Sequence, residues 1–229
     1  MSRDDWFRNE LWNSEIESAF EAKLRRARNK TQYLRLQAGH LAKTEPDVAL
    51  ALIDRYFGEG GDISSALANE VQALAYLSLG KVPEAIDAYE EALRREQDFS
   101  NLRTSTFIDL PKLIADLELA DRYPRALELL EQAKPQLVFA VDRYNWAGAT
   151  ALILDDLGQE LEAQALAKEA LAAAAATESG FQNHPDVGLV WSTQDAFGTR
   201  ISALSKREPG DEQKPKQKPK RKAWWRLLN

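Results

Sequence analysis

A twelve-residue spacing between small residues recurs along this chain and constrains its fold more than any other feature. Ala73 and Ala85 stand twelve apart, as do Ala151 and Ala163. Around the first pair runs Ala73-Leu74-Ala75-Tyr76-Leu77-Ser78-Leu79-Gly80, then Pro83-Glu84-Ala85-Ile86-Asp87-Ala88-Tyr89-Glu90-Glu91-Ala92-Leu93. Leu74, Leu77, Ile86, Tyr89 and Leu93 fall at helical intervals, so each half is an apolar-striped helix. Gly80 marks the turn between the halves, and the small residues let two antiparallel helices approach closely. Such a hairpin cannot bury its own apolar face and needs neighbours. Copies are present: aligned on the second alanine, Ala49, Ala85, Ala126 and Ala163 follow one another at 36, 41 and 37 residues. No strand-like alternation bounded by hairpin turns interrupts residues 14 to 177.

Ala73, Tyr76 and Gly80 followed by Ala85, Tyr89 and Ala92 resemble the tetratricopeptide repeat, a unit of about 34 residues. The resemblance covers roughly residues 30 to 177 and is most complete around Ala85 and Ala163. The copy at Ala126 is irregular, with Pro111 in its first helix and Asp121 where a turn glycine belongs. The resemblance implies an all-α fold, a right-handed α-solenoid of about four helical hairpins, to which the residues outside 30–177 add N- and C-terminal capping helices and a disordered basic tail. It also implies protein binding: in this family the first helix of each repeat lines a concave groove. Carrying the register over places Arg35, Leu67, Glu70, Leu74, Lys112, Glu118, Asn145, Leu152, Asp155 and Asp156 on that groove. The family's carboxylate clamp for chaperone C-termini is not reproduced, because Arg35, Lys112 and Asn145 stand isolated among acidic and aliphatic neighbours.

Start signals agree with about ten helices. Ser14-Glu15-Ile16-Glu17 fits a capping box, and Pro46, Pro83, Pro124 and Pro135 each suit a first helical turn. Residues 1–29 form an aromatic-rich capping segment in which Trp6, Phe7, Leu11, Trp12, Ile16, Phe20 and Leu24 would cover an exposed end of the array; a partner site is the alternative. Residues 30–177 hold the repeats. Residues 178–206 form a loop and a last helix from about Ser192 to Lys206, whose Phe197, Ile201 and Leu204 have helical spacing. Within that loop Phe181, His184 and Trp191 lie close together, and a structured connection is the reading preferred over a functional loop.

Residues 207–229 read differently from everything before them. From Lys206 onward nine basic residues face three acidic ones, so the first 205 residues carry −12 of a total of −6. An acidic body disfavours nucleic acid, whose phosphates require clustered Lys and Arg. The alternating Pro and Lys of residues 214–220 cannot form a packed core. Lys220, Arg221, Lys222, Trp224, Trp225, Arg226, Leu227 and Leu228 then form a basic, aromatic docking motif, for a protein, for this chain's own acidic groove, or for a membrane surface.

No chemistry-bearing motif emerges. Gly58-Glu59-Gly60-Gly61 lacks the Lys-Ser/Thr of a phosphate loop and reads as a helix end followed by a turn. With two His and no Cys, no structural zinc site, disulfide or thiolate chemistry is expected. The expectation is therefore a non-enzymatic, cofactor-free and metal-free adaptor or scaffold, cytoplasmic for want of an apolar signal region. A membrane-surface tether and a regulatory subunit of an enzyme complex are the alternatives.

Overall fold

The computed structural model describes residues 5–99 and 103–207. Among them are ten α-helices and no strand, as the hairpin pattern requires. The chain divides at Thr106/Phe107 into two compact units.

The first unit contains α1 (Ser14–Leu24), α2 (Lys30–Leu41), α3 (Pro46–Gly58), α4 (Ser65–Ser78) and α5 (Val82–Asp98). Helix α1 begins at the expected place with a different cap: the Asn13 side chain accepts from the backbone N–H of Glu15 and Ile16 at 3.1 and 2.9 Å, so Ser14 is already helical. Pro46 and Pro83 sit in the first turns of α3 and α5, where their missing N–H costs nothing. Helix α3 ends at the glycine run as expected. Gly61 N–H returns to the Tyr56 carbonyl at 3.1 Å, with Gly60 and Gly61 at φ 99 and 62.

Consecutive helices pack as antiparallel neighbours, α2 on α3, α3 on α4 and α4 on α5, and α2 also meets α4. The core gathers Phe20, Leu34, Leu41, Ile53 and Tyr56, all essentially inaccessible, each contributing about 1.5–3 kcal/mol by burial. Ala73 and Ala85 are both fully buried, which identifies the alanine spacing as a close helix–helix seam. Trp6, Phe7 and Trp12 pack onto this core. Trp6 lies 4.7 Å from the Tyr33 ring and 5.4 Å from that of Phe20. Asn9 ties the segment down: its backbone N–H and its Nδ2 donate to Gln37 Oε1, and Gln37 Nε2 donates back to the Asn9 carbonyl. Those bonds satisfy a fully buried glutamine that would otherwise be costly.

The second unit contains α6 (Thr106–Asp116), α7 (Tyr123–Ala133), α8 (Ala140–Asp156), α9 (Glu160–Ala174) and α10 (Ala196–Ser205), with 3-10 turns at Ala120–Arg122 and Lys134–Gln136. Pro135 belongs to the second of these turns instead of to an α-helix. Helix α7 packs on α8, α8 on α9, and α10 covers both α8 and α9. Ala151, Ala163, Ala167 and Ala170 are fully buried, repeating the seam of the first unit. Gly148 is the residue that admits α10: a Cβ there would stand 2.5 Å from Ile201 Cδ1 and 2.7 Å from Phe197 Cζ. Helix α10 starts at Ala196, later than the expected Ser192, because Asp195 caps it by accepting from Gly198 N–H at 2.7 Å.

The irregular copy is explained by its turn. Gly80 and Gly158 each stand five residues before their alanine with φ 70 and 80. In the copy at Ala126 the same left-handed conformation falls on Glu118, φ 52, and the Ala120–Arg122 turn supplies the additional length.

Candidate functional site

The residues assigned to a groove are distributed over both units, and each unit holds its own set. In the first, α2 and α4 run in the same direction, since each is antiparallel to α3. A Cβ on Gly39 would lie 3.6 Å from Val71 Cγ2, and one turn back on each helix this register sets Arg35 alongside Leu67. Arg35, Leu67, Glu70 and Leu74 are all half-buried. The Arg35 Nε is buried without a hydrogen-bond partner among the described residues. Glu70 accepts from Ser105 N–H at 2.9 Å and from Ser105 Oγ at 2.6 Å. Leu74 packs against the core of the unit.

In the second unit most of the assigned charges are engaged internally. Lys112 Nζ donates to Asp116 Oδ2 at 2.7 Å and lies 4.0 Å from the centre of the Phe197 ring. Burial raises the Asp116 carboxyl above the usual range despite the nearby Lys112 and Arg200. Glu118 pairs with Arg200 at 3.1 Å, and the same guanidinium donates to the Ala115 and Asp116 carbonyls, both at 3.2 Å. Arg200 thereby caps the end of α6, bonding the Asp116 carbonyl and sharing that of Ala115 with the Glu118 N–H. Leu152 is buried. Asp155 is 5% exposed and receives both guanidinium nitrogens of Arg207. Asp156 accepts from the Tyr123 hydroxyl at 2.5 Å; burial and then this carboxylate push the phenol well above its ordinary value. Asn145 is half-buried.

Sequence reasoning missed Tyr144, Asp116, Asp195 and Arg200. Tyr144 is 4% exposed, its hydroxyl has no partner among the described residues, and its ring meets Phe197 edge-on at 5.6 Å. Burial, then the charges of Asp195 and Asp116, push its pKa up to about 12. No local signal announces this cluster, because Asp116 and Arg200 are separated by 84 residues.

Residues 176–195 form an irregular but hydrogen-bonded loop. Ser179 Oγ donates to the His184 carbonyl at 2.7 Å, Ser179 N–H reaches Pro185 at 2.8 Å, and His184 N–H reaches Phe181 at 2.9 Å. The loop is fastened to the start of α8. Gly188 accepts from Val141 N–H at 2.8 Å, and a Cβ on it would strike Phe139 at 2.3 Å, so only glycine fits. The rings of Phe139 and Phe181 are 5.6 Å apart. Beyond that contact the loop turns apolar side chains outward: Phe181 is 44% exposed, Val187 43% and Trp191 86%.

Comparison with protein-family models, with curated proteins and with solved structures finds no match. Among the described residues no helix is long and apolar enough to cross a membrane. The tail motif, Lys220 to Leu228, lies outside the described residues.

Proposed function

We propose that this chain is a binding adaptor of the tetratricopeptide kind, a right-handed α-solenoid of about four hairpins that takes a peptide or protein partner on the faces of its first helices. The supporting observation is the repeated seam: Ala73 and Ala85 in one unit, and Ala151 and Ala163 in the other, are all fully buried between successive helices. On this reading the outer residues of the first helices line the family's groove. Within that register Lys112, Glu118, Leu152, Asp155 and Asp156 are committed to internal contacts. The capacity to bind is therefore assigned to the first unit, where Arg35 offers an unpartnered buried Nε beside Leu67. A donor flanked by aliphatic side chains suits a peptide that inserts apolar side chains and presents one carbonyl or carboxylate to the arginine.

The test is selection of peptides from a random library by the full chain, followed by affinity measurement on Leu67→Glu and Arg35→Met. Both substitutions lie on half-buried positions, and melting curves verify that the variants fold. Selected peptides should lose about tenfold or more in affinity to each variant. A chain that selects no peptide, or peptides indifferent to both changes, would sink the adaptor reading.

A further inference from the structure

The loop surface at Phe181, Val187 and Trp191 is built at one end of α8, and the described chain ends at the other. Arg207 is held to Asp155 in the last turn of α8, and its carbonyl accepts from Gln164 Nε2. The loop is held to the first turn through Gly188 and Val141. Ala140 to Asp155 is fifteen steps of helix, about 22 Å at 1.5 Å per residue. Sixteen residues separate Arg207 from Trp224. A coil of that length averages about 20–24 Å and a fully extended chain reaches about 55 Å. That reach is enough for the terminal motif to arrive at the loop surface.

Charge and polarity match as well as distance. Residues 176–195 carry Glu178, Asp186 and Asp195 and neither Lys nor Arg, and include a tryptophan that is 86% exposed. The motif presents Lys220, Arg221 and Lys222 directly before Trp224 and Trp225. Basic side chains would steer such a motif toward an acidic loop, and burial of its indoles against Trp191 and Phe181 would hold it there. The acidic residues that the sequence suggests as its receptor, Glu118, Asp155 and Asp156, are already engaged by Arg200, Arg207 and Tyr123.

We propose that the exposed aromatic, acidic surface of the 176–195 loop is a docking site for the Lys220–Leu228 segment of the same chain. Docking shields Trp191 and the terminal Trp pair together, and it leaves the α2 and α4 face of the first unit untouched, so this site stands or falls independently of the peptide groove.

The experiment places p-benzoylphenylalanine at Trp225 in the full chain, mixes unlabelled and nitrogen-15-labelled protein in equal parts, irradiates and maps the cross-linked peptides. The main product should join the tail to residues 178–195 with both peptides of the same isotope. Trp191→Ala, at a solvent-facing position that the fold does not need, should cut that product about tenfold, and Trp191→Phe should restore most of it. Asp186→Lys should also cut it, and raised salt should weaken docking in the parent chain. Mixed-isotope products would assign the site to a second copy and overturn docking in cis. Cross-links to residues 67–74, cross-links scattered over the surface, or a yield indifferent to Trp191→Ala would overturn the site itself.

Discussion

Tyr144 pays a desolvation cost with nothing in return: its hydroxyl is buried and unpartnered among the described residues. Tyr144→Phe removes the hydroxyl and keeps the ring against Phe197, so stability should rise by about 1 kcal/mol, read as a higher urea midpoint with an unchanged slope. Asp62 is the opposite case. Burial by itself raises this carboxyl, but hydrogen bonds from the Tyr56 hydroxyl at 2.7 Å, Ser64 N–H at 2.7 Å and Thr31 Oγ1 at 2.9 Å outweigh it and hold the group below its ordinary value of 3.8. A carboxyl that is a stronger acid in the folded state adds stability above about pH 4, and that contribution is lost as the pH falls through the lowered value. Asp62→Asn should therefore cost about 1–2 kcal/mol at pH 7, discounted for a half-buried site. The gap to the parent should narrow steadily toward about pH 2; a gap constant across that range would show that the charge contributes nothing.

At the scale of elements, turns and seams carry the architecture. Gly158 turns α8 into α9 at φ 80 with nothing within 4 Å of the Cβ position, so Gly158→Ala tests backbone strain with no steric contribution. It should destabilise by about 1 kcal/mol, lowering the melting temperature by about 2–4 °C for a chain of this size. Glu118 bears the same strain in the irregular copy and is compensated by its Arg200 pair. Gly148→Ala is a steric test. The new methyl would displace Ile201 and Phe197, costing about 1–3 kcal/mol, and hydrogen exchange should show faster opening of α10 than in the parent. Unchanged exchange in α10 would mean that its docking on α8 does not depend on this contact.

The whole molecule combines a body of −12 with a basic terminus of +6. Each Lys or Arg near an anionic membrane is worth about 1 kcal/mol, but an acidic body within about a Debye length of the same surface opposes it. The full chain should sediment weakly with anionic vesicles, not with neutral ones, and physiological salt should release it. Tight, salt-resistant association would favour a membrane-surface tether over a docked tail.

Helix content and hairpin register were legible from the residues alone, since both depend on local rules: a 3.6-residue period, small residues where helices cross, proline in first turns and glycine at φ > 0. Ala73 with Ala85, Ala151 with Ala163, Pro46, Pro83, Gly80 and Phe197 with Ile201 all follow those rules. The cap at Asn13 in place of Ser14 was a one-residue choice between two adjacent capping side chains. Which charges are available for binding was not legible. Glu118 meets Arg200 and Asp155 meets Arg207 across separations that follow neither the helix period nor the repeat, and Asp156 meets Tyr123 about one repeat away. Only folding brings such pairs together, because an ion pair or hydrogen bond depends on distance in space and leaves no periodic trace along the chain. The same holds for the 176–195 loop: its Gly, Pro and aromatic residues are visible in sequence, but its fastening to Phe139 and the outward face of Trp191 are decided by how α8 and α10 pack.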